Sequence, residues 1–317
     1  MQTWLGCDRV PRDLPPTSVT IGTFDGVHRG HRALLEKVVA DSADGLLPVA
    51  VTFDPHPMAV LRPDLAPLRL TTMQHRLELL ESAGLGAVLV VRFTPELAAE
   101  SAERFATRVL AQTLAARRVV VGGNFRFGHR AAGDVALLAA LGRVLGFDVH
   151  VVDLELLDRS GDDLPPVSST AIRSMVAEGD VVGAALALGR PHRVSGHIVP
   201  GDRRGRELGY PTANVRVPAD LAVPGDGVYA TWFRTSEDLR WLPAAVSVGT
   251  NPTFSGEDRR VEVFVIDAPA GYDVYDQDAD IDFAARIRPM MRFDSPAELV
   301  AQMALDVQEA RRITAAS

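Results

Sequence analysis

Cysteine is almost missing: Cys7 stands alone in 317 residues, which excludes an intrachain disulfide framework and a thiolate-rich metal cluster. Long apolar runs are missing too. No stretch approaches the ~18 consecutive apolar residues of a membrane-spanning helix. The first residues, with Asp8, Arg9, Pro11, Arg12, Asp13, Pro15 and Pro16, hold no apolar core of a secretory signal. There is no excess of positive charge: 33 Lys and Arg face 41 Asp and Glu, a net charge of −8. That balance argues against nonspecific binding to nucleic acid or an anionic membrane and leaves only a local basic cleft open. Internal repeats are absent as well. The expectation is a cytoplasmic protein with neither nucleic acid nor membrane as partner.

What is present is an ordinary globular composition, 47% hydrophobic and 23% charged, in a chain long enough for two domains. Up to about residue 152, strand-like runs (19–22, 48–53, 87–93, 118–121 and 148–152) alternate with helical stretches (31–41, 73–83, 102–115 and 135–145). That alternation predicts βαβ units, and so an α/β domain with a parallel, doubly wound sheet, whose ligand crevice lies beyond the carboxyl ends of the strands. A polar, proline-containing segment at 156–167 precedes two short helices at 171–178 and 181–188, and Gly189-Arg190-Pro191 ends the second. The boundary is expected near residue 187, giving domains 1–186 and 187–317. Beyond it, close-spaced strand-like runs (193–199, 227–233, 243–248, 260–266 and 281–288) predict an antiparallel barrel or sandwich. A final helix opens on the capping box Ser295-Pro296-Ala297-Glu298 and repeats Leu299, Met303 and Val307 along one face.

Five stretches and one lone carboxylate carry chemistry. Gly22-Thr-Phe24-Asp25-Gly26-Val-His28-Arg-Gly30-His31 reads as strand end, glycine turn and helix start, where backbone amides and two histidines can meet a phosphate. Thr52-Phe53-Asp-Pro55-His56-Pro57 follows the next strand, a rigid loop that can wall a pocket. Asn124-Phe-Arg126-Phe127-Gly128 ends another and offers aromatics and a guanidinium to a planar ring. Ser168-Ser169-Thr170-Ala-Ile-Arg173 is either a plain helix cap or a polyphosphate seat. The glycine- and arginine-rich stretch 196–214 is either a basic hairpin or a loop that wraps a nucleotide, with Thr212 and Asn214 as hard oxygen donors for Mg²⁺. Glu262 lies in an alternating strand: facing the barrel's interior cleft it is a candidate base, and facing water an ordinary carboxylate.

In this order, together with Gly227-Val-Tyr-Ala230, Asn251-Pro-Thr-Phe254 and Val261-Glu262-Val263, the motifs resemble the prokaryotic bifunctional riboflavin kinase/FAD synthetase (FMN adenylyltransferase) family over nearly the whole chain. The resemblance implies a Rossmann-like nucleotidyltransferase domain followed by a six-stranded antiparallel barrel with a C-terminal helix. It implies that the barrel phosphorylates riboflavin with ATP, giving FMN and ADP, and that the first domain joins FMN to a second ATP, giving FAD and pyrophosphate. Gly22, Phe24, Asp25, Gly26, His28, His31, Ser169, Thr170 and Arg173 would then bind ATP in adenylyl transfer, with His28 and His31 catalytic. Phe53, His56, Pro57, Asn124 and Phe127 would face its flavin. In the kinase, Gly201, Arg203, Gly205, Gly209, Pro211, Thr212 and Asn214 would hold ATP, with Mg²⁺ on Thr212 and Asn214. Glu262 would be the base and, with Arg288, would contact flavin. No tightly bound redox cofactor is required, and the chain is expected to be a monomer or a transient homo-oligomer.

The sequence departs from the family where Thr23 stands for a common Asn, Asn124 for a common Asp and Tyr210 for a common Phe. The acidic stretch 273–281 also lacks a Tyr-Gly step. Two alternatives remain: a riboflavin kinase whose first domain transfers nucleotides weakly or to another acceptor, and a flavin-binding module without turnover.

Overall fold

The structure, a computed structural model, describes residues 1–153, 167–200, 210–253, 256–269, 272 and 274–315. Contacts group the chain into two compact units: Met1–Pro67 with Met73–Val167, and Leu68–Thr72 with Ser168–Ser317.

The first unit is built on β1 (Gln2–Leu5), β2 (Thr17–Ile21), β3 (Leu47–Asp54), β4 (Ala87–Arg92), β5 (Ala116–Gly122) and β6 (Asp148–Val152), in the order β1-β4-β3-β2-β5-β6 and all parallel. Side chains on a strand alternate between faces, and here both faces are buried. Val19, Val49, Val51, Leu89 and Val119 pack with Phe105, Leu110 and Leu138. Ala50, Val88, Val90 and Val120 pack with Leu34, Leu35, Val38 and Leu80. The covering helices are α1 (Arg29–Ala40), α2 (Pro57–Leu61), α3 (Met73–Ser82), α4 (Pro95–Ala98), α5 (Ala102–Phe105) and α6 (Val135–Leu145). The single helix expected over 102–115 instead runs from α5 into a π-helical stretch, Ala106–Thr113, where Leu114 N–H reaches back five residues to the Val109 carbonyl at 3.0 Å. The expected doubly wound sheet is present. The chain fills one side of β2 with β3 and β4, then crosses to β5 and β6, so the switch in strand order lies between β2 and β5. Loops leaving those two strands open a crevice at their carboxyl ends.

The second unit contains α7 (Ser169–Glu178) and α8 (Val181–Leu188), then β7 (His192–Val199), β8 (Ala213–Arg216), β9 (Gly227–Thr235), β10 (Leu242–Thr253), β11 (Gly256–Val265) and β12 (Asp278–Arg288), and ends in α9 (Pro296–Ala315). The strands close an antiparallel barrel in the order β10-β11-β8-β7-β12-β9. Val194, Ile198, Tyr229, Phe233, Val246, Val261, Val263, Ile281 and Phe283 fill its interior. On the outer face, Ala230, Ala245, Phe264 and Ile287 are covered by Val307, Ala310 and Ile313 of α9. The strap Leu68–Thr72 belongs here by contact. Arg69 N–H donates to the Asp220 carbonyl at 2.7 Å, Ala222 N–H donates to the Arg69 carbonyl at 2.8 Å, and Leu70, 1% exposed, packs with Ile172, Val176 and Leu188.

Candidate active sites

At the switch point, β2 gives way to a turn in which Phe24, Gly26 and Val27 all take positive φ, at 48°, 85° and 40°. Left-handed backbone is unfavourable for a β-branched residue, yet Phe24 and Val27 are both fully buried and anchor the turn in the core. The Thr52 hydroxyl donates to the Thr23 carbonyl at 3.0 Å and ties the turn to β3. The turn delivers His28 as the cap of α1: its Nδ1 accepts the His31 N–H at 3.3 Å. A neutral ring accepting through Nδ1 carries its proton on Nε2. The His31 ring stacks on that of His28, centroids 3.7 Å apart at 17°, and meets the Phe24 edge at 5.2 Å. Gly30 leaves room for this arrangement, since a Cβ there would come to a tight 3.3 Å from the His28 ring.

His31 Nδ1 is buried and has no hydrogen-bond partner among the described residues. Burial, then His28, then the Arg76 guanidinium hold its pKa well below the ordinary 6.5, so the ring is neutral near pH 7. The sign follows: an unfolded chain takes up a proton at this residue that the folded chain resists, so stability is complete above about pH 6.5 and declines below it. The urea midpoint of wild type should therefore fall more than that of His31→Gln between about pH 7.5 and 5.5. Equal pH dependence in the two would refute the assignment.

A cavity of about 850 Å³ opens at the same strand ends, lined by Ile21, Phe53, Met58, Leu61, Phe105 and Phe127 among others. Phe125 stacks with Phe127 at 5.4 Å, presenting flat aromatic surface in this largely apolar cavity. Two of the residues expected to meet flavin, Phe53 and Phe127, therefore line one cavity. His56 and Pro57 start α2 instead, with His56 Nδ1 accepting Met58 N–H at 3.2 Å, and Asn124 sits exposed in the turn after β5. Motif reading missed Met58, Val60 and Leu61 of α2, whose apolar side chains follow the recognised proline loop directly.

Ser169, Thr170 and Arg173 stand at the start of α7 in the second unit, where the Ser168 hydroxyl accepts Ala171 N–H at 3.1 Å. Arg173 Nε donates to the Leu68 carbonyl of the strap at 2.6 Å.

On the barrel, Glu262 faces neither interior nor open water. Val261 and Val263 point inward, while Glu262 points outward into a cavity of about 250 Å³. Its ladder partners are Asn214 and Ser247. Thr212, Ser247, Phe264 and Arg288 share that cavity, closed by Met290, Met291, Phe293 and the α9 residues Leu299, Met303, Asp306 and Val307. Arg288 is fixed by Asp306, with Nη2 to Oδ2 at 2.7 Å and Nε to Oδ1 at 2.9 Å, and Gln302 supports the same carboxylate at 2.9 Å. Asp306 is 4% exposed and escaped motif reading, although it sits one residue from the recognised stripe Leu299, Met303, Val307. Pro211 is exposed, and the Tyr210 ring packs on Phe264 at 5.2 Å. Gly201, Arg203, Gly205 and Gly209 lie outside the described residues, as do Phe254, Asp273 and the polar segment up to residue 166.

A family profile described as FAD synthetase matches residues 10–170, and one described as riboflavin kinase matches residues 188–314. The chain belongs to the bifunctional riboflavin kinase/FMN adenylyltransferase family. A relative of that description from Escherichia coli K12 is 37% identical over 92% of this chain and 91% of its own. Another from Haemophilus influenzae is 32% identical over 98% of both chains. A solved structure described as a macrolide-efflux protein from Streptococcus pneumoniae matches with a TM-score of 0.85 at 29% identity over 98% of both chains. Among the described residues of the present chain, no helix is long and apolar enough to cross a membrane. In family order, the first profile covers the histidine stack and the second the Glu262 cavity.

Proposed function

We propose that the chain makes FMN and then FAD, with the barrel phosphorylating riboflavin and the parallel-sheet unit adenylylating FMN. The observation that carries this reading is that one chain holds, in the family's order, a histidine stack at a phosphate-type helix start and a carboxylate in a largely apolar cavity. In the barrel, Glu262 takes the proton from the ribityl hydroxyl as that oxygen attacks the γ-phosphorus, and ADP leaves. Phe264, the methionines and the α9 side chains exclude water around the reacting hydroxyl, and Arg288, locked by Asp306, keeps its guanidinium at the cavity wall. In the first unit, a phosphate oxygen of FMN attacks the α-phosphorus of ATP and pyrophosphate leaves. No protein nucleophile is needed, so the work is positioning and charge stabilisation. His28, with its Nε2 proton, and His31 donate to phosphoryl oxygens as charge builds. Phe53 and Phe127 take the flavin ring. Ser169, Thr170 and Arg173 are assigned to the triphosphate.

Mg²⁺ fits the donor set at the barrel. Thr212 and Asn214 offer neutral oxygens beside Glu262, and among the described residues no group of three or more His, Cys, Asp or Glu could hold a metal. Magnesium is commonly held by one or two protein oxygens plus substrate phosphates and waters. Bound there, it would neutralise phosphate charge. We place both reactions in the cytoplasm.

Incubation with riboflavin, ATP and Mg²⁺, with the flavins resolved by chromatography, tests the reading. FAD is the expected product. FMN alone would restrict the chain to riboflavin kinase with a different or weak first unit, and unchanged riboflavin would leave a flavin-binding module.

A further inference from the structure

The helix α3 is unusual in what it buries. Of its ten residues, those buried are His75, Arg76 and Leu80, so two of three inward positions go to polar groups. Arg76 is 2% exposed and reaches Asp25, which is wholly buried, with Nη2 to Oδ1 at 3.6 Å. A buried ion pair gives little or no net stability over apolar side chains of the same volume. Its presence here therefore asks for another explanation, and its location supplies one. Asp25 sits inside the turn whose neighbours Phe24, Gly26 and Val27 all hold left-handed backbone, directly ahead of the stacked histidines. Arg76 is too deeply buried to touch a substrate.

We propose that Arg76 is a positioning residue for adenylyl transfer: it grips Asp25 from the protein interior and holds the left-handed turn that presents His28 and His31. The inference rests on the adenylyltransferase reading above and adds a residue that no motif contains. The same cation contributes to keeping His31 neutral, alongside burial and His28. Among the described residues, the titratable or charged groups that act on His31 are His28 and Arg76, and Arg76 in turn pairs with Asp25.

The test uses the full chain with Arg76→Met and Arg76→Lys, following FMN adenylylation and, as an internal control, riboflavin phosphorylation. Arg76→Met should lower kcat for FAD formation about 100-fold with KM for FMN and ATP changed less than about threefold, because geometry rather than binding is lost. Arg76→Lys keeps the charge without the fork and should fall only about tenfold. Removing the cation raises the His31 pKa, so the acid limb of the pH–rate profile should move to higher pH in Arg76→Met and stay in place in Arg76→Lys. Phosphorylation of riboflavin should be unchanged in both. A folded Arg76→Met with kcat within about threefold of wild type, or a loss confined to KM, overturns the proposal. Should Arg76→Met fail to fold, Arg76→Lys carries the test, and wild-type kcat in that variant overturns it. These failures leave the adenylyltransferase reading intact, whereas a wild-type chain that makes no FAD from FMN and ATP overturns that reading itself.

Discussion

His28→Asn and His31→Ala should each lower FAD formation by about 10²–10³-fold, the cost of removing one donor aimed at developing oxyanion charge. Asparagine is the better test at 28, because the His28 Nδ1 caps α1 while its ring, stacked on His31, is the group proposed to meet phosphate. Asparagine can keep the cap, worth about 1 kcal/mol, and loses the imidazole donor. The His31 change removes the neutral ring stacked on it at 3.7 Å. In both variants FMN should accumulate from riboflavin at the wild-type rate. Chromatography of the flavins reads both steps at once. Loss of FMN as well would defeat the assignment of the two steps to separate sites, and undiminished FAD would remove the histidines from the chemistry.

The complementary change is Glu262→Gln. It preserves size and the place beside Asn214 and Ser247 in the ladder but cannot accept the hydroxyl proton. Riboflavin phosphorylation should drop about 10²–10⁴-fold, the usual contribution of a positioned general base. Conversion of supplied FMN to FAD should be untouched. If phosphorylation in Glu262→Gln ran near the wild-type rate, the proton would have another acceptor.

Much of the architecture could be read from residue pattern because long elements repeat their periodicity. The Val-rich strands β3, β4 and β5 and the amphipathic helix α1 stand out without help. The elements that escaped are short. β1 and β8 have four residues each, and β8 runs through the Thr212–Asn214 motif, so chemistry masked geometry there. Glu262 shows a deeper limit. Alternation says that Val261 and Glu262 face opposite ways, but with α9 laid on the outer wall both faces are covered, so period alone could not say which way a carboxylate points. Leu299, Met303 and Val307 read as a simple packing stripe, and they do pack, yet they also wall the cavity that holds Glu262. Arg76 was invisible for a different reason. An arginine on a surface-type helix is ordinarily solvated, and its buried pairing with Asp25, 51 positions earlier, cannot be read from local pattern.

The strap Leu68–Thr72 makes this protein hard to dissect. Its five residues come from the middle of the first unit's sequence but complete the core beneath α7 and α8. A fragment beginning at residue 168 would leave an empty seat where Leu70 packs on Ile172 and Val176, a loss of the order of 2–5 kcal/mol by comparison with large-to-small core changes. It would also strip the two backbone hydrogen bonds to Asp220 and Ala222 and the carbonyl that holds Arg173. A single scission of the chain therefore cannot release the second unit with the small core under α7 and α8 complete.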